Sequence, residues 1–359
     1  MKLKALFVWL AIALAVGVGG AGYVFRADIA LAVARRAAAS VMGRTLSARL
    51  PDGLHAVFCG TGSPLPDRTR AGPCLAVIAG DRVFVFDAGE GAAETLTLMG
   101  VSPGNIEAVF LTHLHSDHVD GLGALALQHW ANASAQSPLR VIGPPGAERV
   151  VAGFNEAYAI DSTYRVAHHG PTVMPPTGYG MRAEPFSIPP EESQRQLLDD
   201  GGVRITAFPV NHAPVTEAFG YRIDYGGRTI VISGDTARSD TLAAAAQDAD
   251  LLVHEALSPQ LDAVLHDAAS VQGRANIAAV FEDILTYHSS PAEAGRVASA
   301  AGVETLALTH ITPPTPIPGL DEVFLRDARG TFSGSVWLAR DGDVISLPRA
   351  GGVRRSRRL

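Results

Sequence analysis

The stretch Ala108 to Leu125, AVFLTHLHSDHVDGLGAL, sets a run of apolar strand formers directly against three histidines and two aspartates within residues 113–120. Imidazoles and carboxylates taken out of water cost free energy unless each finds a partner. A fold that carries this segment must therefore supply matching groups or leave the cluster in solvent. Matching groups recur along the chain. Four further apolar runs end in residues suited to bind a metal: RITAFPVNH at His212, TIVISGDT at Asp235, DLLVHEA at His254 and Glu255, and TLALTH at His310. In layered α/β folds, ligand sites gather where strand ends open into loops. Five runs of this kind predict a sheet-based α/β chain with one polar edge.

The surrounding pattern supports that class. From about residue 53, short apolar runs end in Gly, Pro, Asp or His. GLHAVFCGTGSP and CLAVIAGDRVFVFDAGEG predict two or three strands, with a turn at Gly80-Asp81. AAETLTLMG predicts a helix ending on Gly100, and GLGALALQHWAN, PAEAGRVASAAG and GLDEVFLRDARG predict three more. Gly226-Gly227 marks a hairpin. Residues 161–200, with their Pro, Gly and Glu, read as an irregular insertion that forms one wall of a pocket.

Side chains two apart on an extended segment point the same way. His113 and His115 are thus expected to face one ion, and the following turn to bring Asp117 and His118 to a second. Nitrogen and oxygen donors without thiolates suit zinc, with manganese or iron as alternatives. The candidates are His113, His115, Asp117, His118, His212, Asp235 and His310. Seven exceed what a single zinc takes. With one carboxylate shared they make a two-metal site with room for a bridging hydroxide. The spacing is not the helical H-E-x-x-H of metalloproteases.

THLHSDHVDG, with GTGSP before it and SGDT and LTH after it, resembles the metallo-β-lactamase superfamily over about residues 53–348. The resemblance implies an α/β (α+β) fold, a four-layer αβ/βα sandwich with the metals at one edge of its two sheets. It implies His113, His115 and His212 on a first zinc, Asp117, His118 and His310 on a second, and Asp235 between them. Two branches are most similar, ribonuclease Z and an arylsulfatase-type branch of zinc hydrolases. GVRITAFPVNHAPVTEAFGYRIDYGGRTIVISGDT looks closer to the arylsulfatase type. Ribonuclease Z usually carries a long tRNA-gripping arm between GYRI and GDT, where this chain has only DYGGRTIVIS. His288 in TYHSSP matches the general-acid position of the ribonuclease Z branch, and Asp117 is expected to orient the nucleophile or take its proton. His254 and Glu255 are expected behind the ligands, orienting one of them or His288. Asp87 is a similar candidate, or else a cap on GEGAAETL. Thr61 and Ser63 in GTGSP either touch substrate or shape a tight turn. His168 and His169 read as solvated loop histidines, and His55, His129 and His266 as ordinary ones.

Charge enters the choice of substrate. Residues 50–348 hold 17 arginines, no lysine and 35 acidic residues, a net of −18. A body of that sign repels polyanions. The expected activity is therefore dinuclear zinc-dependent hydrolysis of small anionic esters, either sulfate esters or phosphodiesters. Nucleic acid is counted out as a partner, and a ribonuclease Z-like tRNA 3′-processing endonuclease is the alternative. Residues 5–25 run 21 positions without a charge. That is longer than the apolar region of a cleaved signal and about the length of a membrane span. The expected organisation is a signal anchor or signal peptide over 1–25, a juxtamembrane helix or linker over 26–52, the hydrolase domain over 53–348 and a solvated basic tail over 349–359. It places the body outside the cytoplasm, with a homodimer compatible. Cys59 and Cys74 fall in neighbouring predicted strands and are read as buried free thiols in preference to a pair.

Overall fold

The computed structural model describes residues 23–359 apart from residues 42 and 44. The chain divides into two compact units, residues 1–45 and 46–359. The first contributes the helix Arg26–Val41, whose side chains are exposed over residues 26–39. Residues 5–22 of the expected anchor or signal lie outside the described residues. Among the described residues, no helix is long and apolar enough to cross a membrane.

The second unit is a mixed α/β fold of two sheets. The first sheet has the order β15-β14-β1-β2-β3-β4-β5-β6. Its strands are β1 (Gly53–Gly60), β2 (Cys74–Ala79), β3 (Arg82–Phe86), β4 (Ile106–Phe110), β5 (Leu139–Gly143), β6 (Met181–Pro185), β14 (Asp343–Pro348) and β15 (Arg354–Arg357). The second has the order β13-β12-β11-β10-β9-β8-β7. It is built from β7 (Arg195–Asp200), β8 (Val203–Pro209), β9 (Phe219–Tyr225), β10 (Arg228–Ile232), β11 (Leu251–Leu257), β12 (Thr305–Thr312) and β13 (Ser335–Leu338).

Strand alternation sorts the side chains into three apolar layers. In β1, Leu54, Ala56 and Phe58 join the core between the sheets, where they meet Ile205, Tyr221, Ile223 and Ile230. Val57 and Cys59 face the other way, toward Leu96, Leu122, Leu125 and Val151 of the helices on that side. The far face of the second sheet presents Val231, Leu252, Leu306 and Leu308 to Leu242, Ala294, Ala298 and Phe324 of its own helices. Helix, sheet, sheet, helix is the order that results. The inner strands of both sheets are buried on both faces, so they read as nearly continuous apolar runs.

Parallel pairing decides where the polar ends fall. β3 through β6 are parallel neighbours, and so are β10 through β13. Their carboxyl ends therefore emerge together at one edge. An aromatic floor lies beneath that edge: Phe86 and Phe110 stack with ring centroids 5.2 Å apart, and Tyr221 meets Phe110 edge-on at 5.7 Å. The Tyr221 hydroxyl donates to the Leu111 carbonyl at 2.5 Å, two residues before His113. Truncating a buried aromatic of this kind costs about 3–5 kcal/mol.

Several local expectations hold. Helices cover Ala92–Met99, Leu122–Ala133, Pro291–Ala300 and Asp321–Arg329, the first ending at Gly100 with φ 82°. Ser290 and Glu293 form a capping box at the start of the third. Gly226 and Gly227, with φ 59° and 78°, make the two-residue hairpin between β9 and β10. Others are corrected. Cys59 and Cys74 are joined in a disulfide with Cα atoms 5.0 Å apart, because antiparallel β1 and β2 bring the two side chains together. The first part of the expected insertion is helical, since one helix runs from Ala147 to His169. Residues 354–357 are not a free tail but add an edge strand beside β14.

Candidate metal centre

β4 leads through Leu111 and Thr112 to His113, and the chain stays extended to His115, which then starts the single helical turn Ser116–Val119. Two imidazoles on an extended segment and two ligands on the turn after it reproduce the spacing argument. His113 Nε2 lies 2.9 Å from His115 Nδ1, and His212 Nε2 lies 3.3 Å from the same nitrogen. On the turn, Asp117 Oδ2 lies 3.5 Å from His118 Nε2 and 3.3 Å from His310 Nε2. Asp235 Oδ2 faces both groups, 3.2 Å from His310 Nε2, 3.3 Å from His118 Nε2 and 3.9 Å from His113 Nε2.

Each donor is aimed by backbone features at a strand end. Asp235 follows Gly234, which has φ 62° and no room for a side chain, since a Cβ there would lie 2.7 Å from the Phe219 carbonyl oxygen. His310 sits at a bulge in β12. Glu255 pairs with Thr309 and Ala256 with Ile311, so His310 is the extra residue, and its φ is 48°. A bulge of this kind re-aims a side chain. His212 follows β8, and its Nδ1 lies 2.9 Å from the Tyr287 carbonyl oxygen.

Hydrogen bonds behind the cluster assign the tautomers. Asp87, held at φ 58° at the end of β3, accepts from the Thr112 backbone N–H and hydroxyl at 2.8 Å each. The same carboxylate accepts from His118 Nδ1 at 2.8 Å, which turns His118 Nε2 toward the cluster. Because the Thr112 hydroxyl gives its proton to Asp87, it accepts from His113 Nδ1 at 3.0 Å and leaves His113 Nε2 facing the cluster. His212 Nδ1 donates to the Tyr287 carbonyl and leaves its Nε2 inward in the same way.

Convergent lone pairs repel, and burial keeps water from relieving them. His118 Nε2 is buried without a hydrogen-bond partner among the described residues. Four ligands arranged tetrahedrally about 2.0–2.1 Å from zinc lie about 3.3–3.4 Å apart, close to the separations found here. The donors thus fit two divalent ions. One set is His113, His115 and His212, the other Asp117, His118 and His310, with Asp235 between them. Their electrostatics show how strongly the clustered charges act on one another. Burial, with His118 adding, pushes His113 well below the usual imidazole range. Burial would lower His118 as well, but Asp235 and Asp87 hold it well above. Asp235 is raised by burial and pulled well below the usual carboxylate range by His310 and His118.

His288 stands beside the cluster, its Nδ1 3.1 Å from Glu255 Oε1 and 4.0 Å from Asp235 Oδ2. Burial would depress it, yet Glu255 and then Asp235 push it up to about 9. Glu255 is itself fixed by the Ser289 N–H at 2.8 Å and the Thr236 N–H at 3.2 Å. Adjacent residues on a strand point to opposite faces, and His254 accordingly turns away from the centre, its Nδ1 donating to the Glu255 carbonyl at 2.8 Å. Thr61 is tied up rather than open to substrate, bonded through its N–H and hydroxyl to Asp341 and accepting from Arg70. His168 and His169 are exposed at the end of their helix. His55 bonds the Pro51 carbonyl, His129 the Pro103 carbonyl, and His266 lies by Asp267 at the surface. Sequence reasoning missed Thr112 and the Tyr287 carbonyl, which act through hydrogen bonds that no motif announces.

The profile of the β-lactamase superfamily domain matches residues 82–311. The chain belongs to the metallo-β-lactamase superfamily. Among its relatives, Ribonuclease Z of Mycobacterium bovis (strain BCG / Pasteur 1173P2) is 37% identical over 290 residues, covering 80% of this chain and 96% of that one. Ribonuclease Z of Mycobacterium avium (strain 104) is 35% identical over the same length. Among solved structures, the short form of human tRNase Z aligns with TM-score 0.56 and 26% identity, covering 82% of this chain and 99% of that one. The metallo-β-lactamase fold protein YhfI of Bacillus subtilis, at TM-score 0.58 and 21% identity over 82% of this chain and 100% of that one, shares the fold. The protein is a hydrolase of this superfamily, and two zinc ions are the cofactor its donors fit.

These relatives correct two expectations. The small-ester reading, with sulfate esters and arylsulfatase-type kinship, gives way to ribonuclease Z, because the match runs through nearly the whole length of proteins of that name. The exclusion of nucleic acid falls with it. A short hairpin between β9 and β10 and an acidic body do not outweigh a likeness that spans the fold.

Proposed function

We propose that this chain is a zinc-dependent endoribonuclease of the ribonuclease Z type, hydrolysing a phosphodiester bond in precursor tRNA at the 3′ side. The observation that carries this reading is 37% identity along 96% of a curated Ribonuclease Z, joined to a site whose donors fit two metals. His113, His115 and His212 hold one zinc, Asp117, His118 and His310 the other, and Asp235 is shared. Bound there, the zinc ions supply Lewis acidity to the phosphoryl oxygens and lower the pKa of a water molecule. Asp117, within reach of both His118 and His310, orients the attacking water or takes its proton. His288 carries a proton near neutral pH and gives it to the leaving ribose oxygen. Glu255 keeps that proton on His288 through the contact at Nδ1. Asp87 and Thr112 hold the ligand rings in register.

Incubating the zinc-loaded chain with a precursor tRNA tests the reading. Specific cleavage at the 3′ trailer, lost in His113→Ala, is the expected result. Hydrolysis of bis(4-nitrophenyl) phosphate without any cleavage of precursor tRNA would overturn the substrate class and leave the metal centre standing.

A further inference from the structure

β1 runs toward the metal edge, antiparallel β14 runs away from it, and β15 returns toward it. The return ends close to the centre. The Arg358 N–H bonds the Gly342 carbonyl, and the Gly342 N–H bonds the Phe58 carbonyl near the end of β1. Arg357 and Leu359 then line an open cleft of about 900 Å³ that Ser116 and Asp117 also line. Arg68, on the loop after β1, lines the same cleft.

The arginines of this segment differ in employment. Arg355 is engaged, bonding Asp343 at 2.5 Å and the Leu338 carbonyl at 3.0 Å with its guanidinium 5.8 Å over the Trp337 ring. Arg354, Arg357 and Arg358 are exposed, and among the described residues their guanidinium groups have no ion pair or hydrogen bond with another side chain or carbonyl. Arg68 is in the same condition. Of the acidic side chains lining the cleft, Asp341 accepts from Thr61 and from the Ala71 N–H, and Asp67 bonds Thr69 and lies 3.9 Å from Arg70, while Glu90, Glu94 and Asp120 are exposed.

We propose that β15 grips the phosphate backbone of the RNA whose scissile bond enters the neighbouring centre. The proposal rests on the ribonuclease reading above. Adjacent residues on an extended segment point to opposite faces, so Arg357, which lines the cleft, meets a phosphate there while Arg354 and Arg358 reach the backbone from the other face of the strand. Guanidinium pairs with phosphate in a bidentate fork, and such contacts supply affinity without reading sequence. Arg68, which lines the same cleft, takes a further phosphate.

The test uses the full chain with zinc, comparing it with Arg354→Gln/Arg357→Gln/Arg358→Gln and with the matching triple lysine variant. On precursor tRNA, the glutamine variant raises KM roughly tenfold or more with kcat held within about twofold. Its plot of log(kcat/KM) against log salt flattens by about 2 to 3 for three lost phosphate contacts. The lysine variant keeps the slope. An unaltered melting temperature shows that the fold is intact. Unchanged KM and salt slope in the glutamine variant overturn the proposal, as does a loss confined to kcat. Loss of co-sedimentation with phosphatidylserine vesicles, with tRNA kinetics unchanged, overturns it in favour of a lipid surface. If the unaltered chain hydrolyses bis(4-nitrophenyl) phosphate but no tRNA, the ribonuclease reading fails first and takes this proposal with it.

Discussion

Glu255→Gln tests whether a buried carboxylate keeps His288 protonated for the leaving group. Glu255 Oε1 accepts from His288 Nδ1 at 3.1 Å and from two backbone N–H groups, so glutamine keeps the acceptor while removing the charge. His288 is pushed up to about 9 from its ordinary 6.5, with burial opposing and Glu255 the largest raising influence. A raised imidazole is charged below that value and loses its proton as the pH climbs through it. At about pH 7.5 a group titrating near 9 is almost wholly protonated, whereas one near 6.5 is protonated in roughly one molecule in eleven. The variant should therefore lose about tenfold in kcat at pH 7.5, with the two chains converging below about pH 6. Burial, no longer offset by Glu255, deepens the loss. The assay is kcat for precursor tRNA across pH 5.5 to about 9.5 at fixed zinc. Oε2 has no hydrogen-bond partner among the described residues, so the amide leaves a buried donor unpaired at about 1–3 kcal/mol. That cost appears in the melting temperature at every pH. A uniform loss of rate across the range, with the descending limb unmoved, would refute proton retention by Glu255 and leave it as a backbone clamp.

Two further outcomes follow from single side chains. Asp87→Asn weakens the hold on His118 Nδ1 and on Thr112, and should lower affinity for one zinc about 10- to 100-fold; chelator competition followed by elemental analysis checks it, and full retention of both ions would count against the role. Asp262 is buried with an unpartnered Oδ1, and burial pushes its carboxyl up to about 6. The folded chain therefore favours the neutral acid and loses stability as pH rises from about 4 through about 6, to a limit of about 3 kcal/mol. Asp262→Asn should raise the melting temperature more at pH 8 than at pH 5, and an equal shift at both would show that the charge is not the cause.

The legibility of the centre depended on how local its geometry is. His113 and His115 face one another because an extended chain repeats every two residues, and the sequence shows both the spacing and the preceding strand. Gly226-Gly227 and the Ser290 cap announce themselves for the same reason. His310 does not. TLALTH reads as a regular strand end, and the bulge arises only because β12 must stay in register with β11 on either side of one surplus residue. The Ala147–His169 helix enters the stretch read as an irregular insertion because only Ala147 and Val151 along it are buried. A helix exposed on most sides prints no apolar period. The disulfide was hidden by pairing geometry, since adjacency of β1 and β2 permits a bond that composition alone does not demand.

The substrate was misjudged for a different reason. A net of −18 over residues 50–348 is a sum, whereas a polyanion responds to the charges within about a Debye length, near 10 Å at 0.1 M salt. Much of the acidic total never reaches the surface field. Asp235, Asp87 and Glu255 are buried at the centre, where two divalent cations would offset them together with Asp117. Glu107 is paired with Arg82, Glu184 with Arg140, Asp250 with Arg228 and Asp343 with Arg355. Those pairs also consume arginines, so the sum stays negative while the exposed residue of each sign shrinks. What remains is arranged by the fold. Strand pairing of residues 354–357 with β14 carries one of the C-terminal arginines, Arg357, to the cleft that Asp117 also lines. Net charge sets solubility and long-range steering; which surface meets a phosphate backbone is decided by which cations the fold leaves unpaired and where its edge strands put them.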